Sequence, residues 1–247
     1  MSTIDLNADL GEGAGTDKQL LQIISSASVA CGGHAGDENT IRETLVAARQ
    51  AKVVVGAHPG FADPRHFGRR RLDLPIAEIQ SQVDEQLSRF QSIAAEVDVP
   101  VKYVKLHGAL ANMTAEDETL ARAVFTTIQR RNPDYAILAL DQSAQVRAAR
   151  SLGLKVIPEA YADRAYSPEG MLVPRSEPGA VVSDPEMMIA QCLRLATRGE
   201  ILSIDGTVIA STARSICLHG DTLGAVNHAR DIALALKQAG ISIASPL

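Results

Sequence analysis

The sequence predicts an α/β fold, a distorted barrel of seven or eight parallel strands that forms one domain over residues 1–247. Short runs rich in β-branched residues alternate with amphipathic helical segments, at about 30 residues per unit. A helix between consecutive strands returns the chain to the same end, so the strands are parallel. Nearly every predicted strand also ends in a polar residue. An open sheet would gather such residues at one switch point, whereas a barrel gathers all strand ends around one site.

Eight apolar runs are typical of strands. In chain order they are Thr3–Asp9, Ala27–Ala30, Val53–Ala57, Val101–His107, Ala136–Leu140, Lys155–Ile157, Ser215–His219 and Ile241–Ala244. The last run is short and weakly apolar, so the sequence leaves the choice between seven and eight strands open.

Helical periodicity is clearest over residues 75–97, where apolar residues recur every three or four positions. Asp73 is a candidate cap for this helix, and Pro75 suits its first turn. A second helix is predicted over Glu38–Lys52.

Three further helices carry terminal signals. Thr114 and Asp117 have the spacing of a capping box. Asp184, followed by a proline, is predicted to open another helix. The last helix is predicted from about Thr222 to Ala239, where a glycine follows as its stop.

Polar residues share one face of several predicted strands. These positions are Asp5, Asn7 and Asp9 in the first strand, Tyr103, Lys105 and His107 in the fourth, and Cys217 and His219 in the seventh. Parallel strands covered by helices have no solvated outer face. The alternation therefore predicts a polar site along the barrel axis.

Composition excludes several classes of protein. The net charge is −5, from 24 Lys and Arg against 29 Asp and Glu, which argues against a nucleic-acid partner. No apolar run approaches the ~18–20 residues of a membrane span. Acidic residues near the start, Asp5 and Asp9, do not fit a signal peptide. Three widely spaced cysteines predict a reducing, cytoplasmic location.

Glycines surround His34 in the segment 30–37, immediately before a predicted helix. Such a segment can cradle an anion with its backbone amides, and we expect Gly32 and Asp37 to take part. The sequence contains neither GxxxxGK[ST] nor GxGxxG, so it carries no standard nucleotide-binding fingerprint.

Four of the six histidines lie at or just after predicted strand ends. They are His34, His58, His107 and His219. Together with Asp9, two or three of them could hold a divalent metal ion. Their spacing matches neither HxxH nor HExxH, so the sequence leaves metal binding open.

In a chain of net negative charge, an anionic ligand has to be bound by particular cationic side chains. Lys105 is predicted to point into the axial site, where a buried ammonium needs a counter-charge or a substrate. Arg69 and Arg70 lie on a loop and can grip a carboxylate or a phosphate. We expect Lys105→Ala to impair activity and to leave the fold intact, because an ammonium is costly to bury.

These segments resemble the LamB/YcsF family of bacterial 5-oxoprolinase A subunits, over nearly the whole chain. The motifs that carry the resemblance are DLNADLGEG (5–13), ACGGHAGDE (30–38), GAHPGFAD (56–63), FGRR (67–70), VKLHGAL (104–110), EAYADRAY (159–166), LVPR (172–175) and LHGD (218–221). The resemblance implies the distorted seven-stranded barrel of glycoside hydrolases and polysaccharide deacetylases, in agreement with the alternation.

The resemblance also implies an activity, the ATP-dependent opening of the lactam of 5-oxo-L-proline to L-glutamate, carried out together with subunits B and C. ATP would enter as its Mg²⁺ complex, either at an interface or in the glycine-rich segment. Taken with the residues above, the resemblance implies a catalytic set of Asp9, His34, His58, Lys105 and His107. The implied substrate- and nucleotide-binding set is Asn7, Glu12, Gly32, Asp37, Arg69, Arg70, Asp163, Arg164, His219 and Asp221.

Four positions depart from the family pattern, which usually has Asn, Phe, Pro and Tyr there. They are Ser28, Gly33, Leu106 and Ala111. These positions are predicted to line the site, so they bear on the identity of the substrate.

Two other functions remain open on sequence grounds. One is a stand-alone, metal-dependent amide or acetyl hydrolase, which a deacetylase-like barrel would allow. The other is a non-catalytic subunit that presents the substrate to its partners.

Overall fold

The computed structural model describes residues 2–221 and 224–247. Within them, seven parallel strands close into a barrel, because the first strand pairs with the second and with the last. The barrel strands are β1 (Thr3–Leu10), β2 (Ser26–Ala30), β3 (Val54–His58), β4 (Val101–Val104), β5 (Ala136–Leu140), β6 (Val156–Tyr161) and β9 (Ser215–His219). The predicted distorted barrel of parallel strands is confirmed.

Three shorter strands lie outside the barrel. β7 (Glu200–Leu202) and β8 (Val208–Ala210) form an antiparallel hairpin that the sequence did not predict. The weak eighth run forms β10 (Ser242–Ile243), which pairs with the start of β1. It adds to the amino end of β1 rather than to the ring, so the count within the described barrel is seven.

Helices pack around the barrel between its strands. They are α1 (Asp17–Leu20), α2 (Glu38–Ala51), α3 (Ile76–Glu96), α4 (Gly108–Glu116), α5 (Glu118–Arg131), α6 (Ala144–Ser151), α7 (Pro185–Arg198) and α8 (Ala225–Gln238), with a 3₁₀ turn at Pro64–His66. Apolar residues three or four apart, such as Val83, Leu87 and Phe90, are the buried stripe of α3. The predicted start of the last helix, at Thr222, lies outside the described residues. Among those residues, no helix has the length and apolar character needed to cross a membrane.

Two capping predictions are wrong, for local reasons. α3 begins at Ile76 after Pro75, and Asp73 lies too early in the chain to cap it. Thr114 lies inside α4, where its hydroxyl donates to the Leu110 carbonyl oxygen at 2.7 Å. Thr114 lies in the last turn of α4 and Asp117 is the N-cap of α5, so the two residues do not form a capping box.

Asp117 alone caps α5. Its carboxylate accepts from the backbone amides of Thr119 at 2.8 Å and Leu120 at 3.2 Å. We expect Asp117→Ala to lower the free energy of unfolding by about 1 kcal/mol, the usual effect of losing an N-cap, as measured by urea denaturation. Asp134→Ala is the matched control, because Asp134 is exposed in the turn after α5. Equal losses in the two variants would show that Asp117 is not a cap.

β4 ends at Val104, earlier than predicted, and the chain then continues beside β3. The backbone amide of Lys105 donates to the Ala57 carbonyl oxygen at 3.0 Å, and that of His107 donates to the Pro59 carbonyl oxygen at 2.8 Å. These bonds keep Lys105 and His107 at the carboxyl end of the barrel although they lie beyond β4.

Polar groups also close the opposite end of the barrel. The Asp5 carboxylate accepts hydrogen bonds from Ser25, Ser26 and Ser215, and burial raises the pKa of this carboxyl. Asp5 therefore has its partners within the barrel, as buried polar groups require.

Candidate active site at the carboxyl ends of the strands

A cavity of about 580 Å³ opens at the carboxyl ends of the barrel strands. This volume lies within the range of small-molecule sites. Its polar lining includes Asp9, His58, Lys105, His107, Tyr161, Arg164, Arg175 and His219, together with Arg69 and Arg71. Residues from strands that are far apart in sequence thus meet around one space.

Lys105 lies at the base of the cavity and is 2% exposed. Its ammonium nitrogen is 2.9 Å from Asp9 Oδ1, 3.0 Å from Glu159 Oε1 and 2.9 Å from Cys217 Sγ. Burial alone would lower its pKa, but Asp9, Cys217 and Glu159 hold the pKa of Lys105 well above its usual value. The lysine is therefore a charged centre between two buried carboxylates.

Glu159 and Asn7 extend this centre along the barrel axis. The Asn7 amide donates to Glu159 Oε1 at 2.8 Å and to the Ser215 hydroxyl at 2.7 Å. The Asn7 carbonyl oxygen in turn lies 3.4 Å from the Lys105 ammonium. Asn7 was predicted to bind a ligand. In the structure its side-chain amide instead hydrogen-bonds to Glu159, Ser215 and Lys105.

Asp9 joins the lysine to the histidines. One carboxylate oxygen contacts Lys105, and the other lies 3.4 Å from His58 Nε2. Burial favours the neutral acid, but His58 and Lys105 together hold the pKa of Asp9 well below its usual value. Asp9 is therefore ionised at neutral pH.

A compact group beside Asp9 contains Glu12, His34, His58 and His107. Glu12 Oε1 lies 2.9 Å from His34 Nε2, 3.5 Å from His107 Nδ1 and 4.0 Å from His58 Nε2. The rings of His34 and His107 stack at 3.5 Å. Burial lowers the pKa of His34 to about 2, whereas burial and Asp9 raise the pKa of Glu12 to about 8.

Among the residues that the structure describes, two groups of side chains have ligand atoms close enough together to hold a metal ion. One is Glu12 with His34, His58 and His107, and the other is Asp9 with Cys217 and His219. The predicted combination of Asp9 with several histidines is thus divided between two places in the structure.

Asp163 and His219 form a pair on the other side of the cavity. His219 Nδ1 lies 2.9 Å from both Asp163 carboxylate oxygens, and Nε2 lies 3.3 Å from Arg175 Nη2. A guanidinium only donates, so Nε2 presents its lone pair and Nδ1 carries the hydrogen. Burial raises the pKa of Asp163, but His219 more than offsets this and holds it below its usual value. The pair has the arrangement of a carboxylate-oriented general base.

Arginines form the rim of the cavity. Arg69 pairs with Asp221 at 2.6 Å and lies 4.8 Å above the Phe67 ring. Arg71 pairs with Glu116, and Arg175 lies beside His219. A rim of this charge suits an anionic ligand. Arg70 is exposed and does not line the cavity.

Three predicted binding residues serve local structure. Asp37 caps α2 by accepting from the Thr40 amide at 2.7 Å, and the Gly32 amide donates to the Ala35 carbonyl oxygen. Neither lines the cavity. Arg164 does line it, but its guanidinium donates to backbone carbonyl oxygens of the loop that follows β6.

The four departures from the family pattern fall into two kinds. A side chain at Gly33 would meet Gln86, because a Cβ there would lie 2.2 Å from the Gln86 amide oxygen. The Ser28 hydroxyl bonds to Tyr103 at 3.1 Å inside the barrel. Leu106 and Ala111 line the cavity itself, so these two positions shape the space for a ligand.

Glu159, Tyr161 and Arg175 were not among the predicted site residues. Glu159 and Tyr161 lie on β6 at alternate positions, so their side chains share one face of the strand. The predicted strand, Lys155–Ile157, ended before both residues, so this alternation was missed. Arg175 lies in an irregular loop, and only the folded loop brings it to His219.

The fold defines a class, the (β/α)-barrel proteins, and the candidate site lies at the carboxyl ends of the strands, where such barrels carry their active sites. The LamB/YcsF family profile matches residues 4–247. The chain is 45% identical over 248 residues to a 5-oxoprolinase A subunit of Pseudomonas syringae pv. tomato, and the match covers 98% of this chain and 97% of that relative. The chain belongs to the LamB/YcsF family.

Solved structures agree with this assignment. The lactam utilization protein from Thermus thermophilus matches with a TM-score of 0.91 and 36% identity, over 98% of this chain and 99% of that chain. The peptidoglycan deacetylase PdaC from Bacillus subtilis matches with a TM-score of 0.52 and 13% identity, over 99% and 88%. The second match shows a shared fold alone, and it confirms the expected likeness to deacetylase barrels.

Proposed function

We propose that this chain is the A subunit of an ATP-dependent 5-oxoprolinase, which opens the lactam of 5-oxo-L-proline to L-glutamate together with subunits B and C. The observation that carries the proposal is the full-length match to relatives named as A subunits of 5-oxoprolinase, at 45% and 43% identity. The cavity supports it, because it combines a cationic rim with an acid–base pair and buried carboxylates.

The chemistry requires activation of the substrate. A lactam carbonyl is stabilised by resonance with its nitrogen, so attack by water alone is slow. Transfer of the terminal phosphoryl group of Mg²⁺-ATP to the amide oxygen, with ADP leaving, would make the ring carbon more electrophilic. Water would then add to that carbon, the C–N bond would break to release the amine, and hydrolysis of the resulting acyl phosphate would give L-glutamate and phosphate. Such a transfer depends mainly on positioning and charge neutralisation. Because the sequence has no P-loop, we assign the use of ATP to the assembled complex.

His219 is the residue we assign to activation of water. Asp163 fixes its tautomer, so that the lone pair of Nε2 faces the arginine rim. The lysine has a different role, since Asp9, Glu159 and Cys217 already surround its ammonium. Lys105 keeps Asp9 ionised and fixes the electrostatics of the cavity floor.

Reconstitution tests this function. The purified chain is combined with subunits B and C, 5-oxo-L-proline and Mg²⁺-ATP, and glutamate and ADP are measured. Glutamate should appear only in the complete mixture, with one ADP formed per glutamate. Release of glutamate by this chain alone without ATP would contradict the proposal and favour a stand-alone hydrolase. ATP-dependent release by subunits B and C alone would leave this chain a non-catalytic role.

Arg175 is predicted to bind the substrate carboxylate at the rim. We expect Arg175→Gln to raise the KM for 5-oxo-L-proline about 10- to 100-fold, the effect of losing one charge-assisted hydrogen bond. Steady-state kinetics of the reconstituted complex measure this effect. Arg198→Gln is the control, because Arg198 is exposed at the end of α7. An unchanged KM in the Arg175 variant would remove Arg175 from the site.

A further inference from the structure

We propose that Glu12, His34, His58 and His107 bind one divalent transition-metal ion, zinc by the nature of the donors, beside the cavity that His58 and His107 line. Three imidazole nitrogens and one carboxylate oxygen form a donor set that suits this ion. The proposal does not depend on the substrate proposed above, because it rests on the arrangement of these four side chains.

The outer nitrogens of the His58 and His107 rings each lie beside a backbone carbonyl oxygen. His58 Nδ1 lies 2.9 Å from the Lys105 carbonyl oxygen, and His107 Nε2 lies 2.9 Å from the Phe67 carbonyl oxygen. A carbonyl oxygen only accepts, so each of these nitrogens carries a hydrogen. The inner nitrogens, His58 Nε2 and His107 Nδ1, are then the ones that can present lone pairs to a metal ion.

The two inner nitrogens face each other. His58 Nε2 and His107 Nδ1 are 3.0 Å apart, and Glu12 Oε1 lies 3.5 Å from the second of them. At these distances, either a hydrogen on one of the three atoms or a cation between them must offset their repulsion. A single shared proton can join one pair of these atoms, whereas a metal ion can satisfy all of them.

The separations also fit one ion. Four ligands at zinc distances of about 2.0–2.1 Å in a tetrahedron lie about 3.3–3.4 Å from one another. Separations of 2.9, 3.0, 3.5 and 4.0 Å between the ligand atoms here bracket that value. His34 completes the set, because its Nε2 lies 2.9 Å from Glu12 Oε1 and the ligand atoms of all four side chains lie within 4.8 Å of one another.

The surroundings favour a cation at this point. The buried side chains of Glu12 and Asp9 both lie beside His58 Nε2, at 4.0 and 3.4 Å, so two acidic groups flank this point. The backbone carbonyl oxygens behind His58 and His107 match the outer-shell partners that orient metal-binding histidines.

The second group of potential ligands is already occupied by a charge. The Lys105 ammonium lies 2.9 Å from Asp9 Oδ1 and 2.9 Å from Cys217 Sγ. An ion between Asp9, Cys217 and His219 would meet that ammonium. This contact favours the histidine group over the cysteine group.

The experiment measures metal binding by the full chain, without substrate or partner subunits. Untagged protein is stripped with a chelator and titrated with zinc by calorimetry, and its metal content is measured by mass spectrometry after dialysis. Cobalt is added in parallel, because its visible absorption reports a tetrahedral site with nitrogen ligands. We expect about one ion per chain. Absence of stoichiometric binding would overturn the proposal and leave a proton between His58 and His107.

Variants locate the site. His58→Gln and His107→Gln should weaken binding by more than about 100-fold, since loss of an outer-shell partner alone costs ~10–100-fold. His66→Ala is the matched control, because His66 is exposed and pairs with Asp63 at 2.9 Å. Unchanged zinc affinity in His58→Gln, or equal weakening in His66→Ala, would overturn the assignment.

Nitrogen NMR of the histidines in the wild type keeps the test independent of variant folding. In the metal-free chain, we expect hydrogen on His58 Nδ1 and on His107 Nε2. Zinc should then shift the resonances of the inner nitrogens, His58 Nε2 and His107 Nδ1. Inner nitrogens that do not respond to zinc would contradict the proposal. Failure of the lactam assay with intact zinc binding would refute the proposed function alone.

Discussion

Replacing Lys105 with methionine will lower the free energy of unfolding by about 3–5 kcal/mol and abolish glutamate formation by the reconstituted complex. The variant leaves Asp9 and Glu159 buried without the ammonium that now lies 2.9 and 3.0 Å from their oxygens. Breaking a buried ion pair by removing one partner has a cost of this size. Urea denaturation and the glutamate assay measure the two effects.

Lys102 provides the control for the lysine variant. It lies on β4, three residues before Lys105, and is exposed, so Lys102→Met should change neither quantity appreciably. Adding Glu159→Gln to Lys105→Met removes one of the two unpaired charges, and the double variant should lose less stability than the two single losses add up to. Strict additivity would show that Lys105 and Glu159 do not interact.

This outcome differs from the expectation on sequence grounds, where Lys105→Ala leaves the fold intact. That expectation rests on the cost of burying one ammonium. The structure places the ammonium between two buried carboxylates that lie far from it in sequence. The loss of stability on substitution therefore depends on Asp9 and Glu159, which are left buried without a counter-charge.

His219→Asn is expected to lower kcat by about 10²- to 10⁴-fold with a small change in KM, the usual contribution of a general base. Asp163→Asn should act in the same direction, because His219 then loses the acceptor that fixes its tautomer. His66→Asn is the control, since His66 is exposed and lies outside the cavity lining. Wild-type kcat in His219→Asn would remove this residue from the reaction.

The pH dependence of stability provides a second test of the pairing between Asp163 and His219. The pKa of Asp163 is lower in the folded chain than its usual value, because His219 outweighs the effect of burial. The ionised carboxylate therefore contributes stability that is fully present above pH about 4. The stability difference between wild type and Asp163→Asn should shrink as pH falls below that value, through the folded pKa. A difference that is independent of pH would contradict the pairing.

Much of the fold could be predicted from the sequence, because the strand–helix alternation and the polar strand ends are local patterns. Asp9, His58 and His219 lie at strand ends and were recognised for that reason. Lys105 and His107 follow the predicted parity even though β4 is shorter than expected.

Other features depend on contacts that no local pattern records. The pairing of Lys105 with Glu159 exists only once the barrel brings β6 near the end of β4. The contact of Arg175 with His219 depends on the path of an irregular loop. Asp37 shows the opposite error, because a polar residue before a helix signals an N-cap as well as a ligand site.

We propose that the lactam binds in the cavity at the carboxyl ends of the barrel strands. The most direct test is a crystal structure of the assembled complex with 5-oxo-L-proline and a non-hydrolysable ATP analogue. We expect lactam density in this cavity, with the carboxylate at Arg175 and the ring carbonyl carbon facing His219 Nε2. Lactam bound only within the partner subunits, with this cavity filled by solvent, would contradict it.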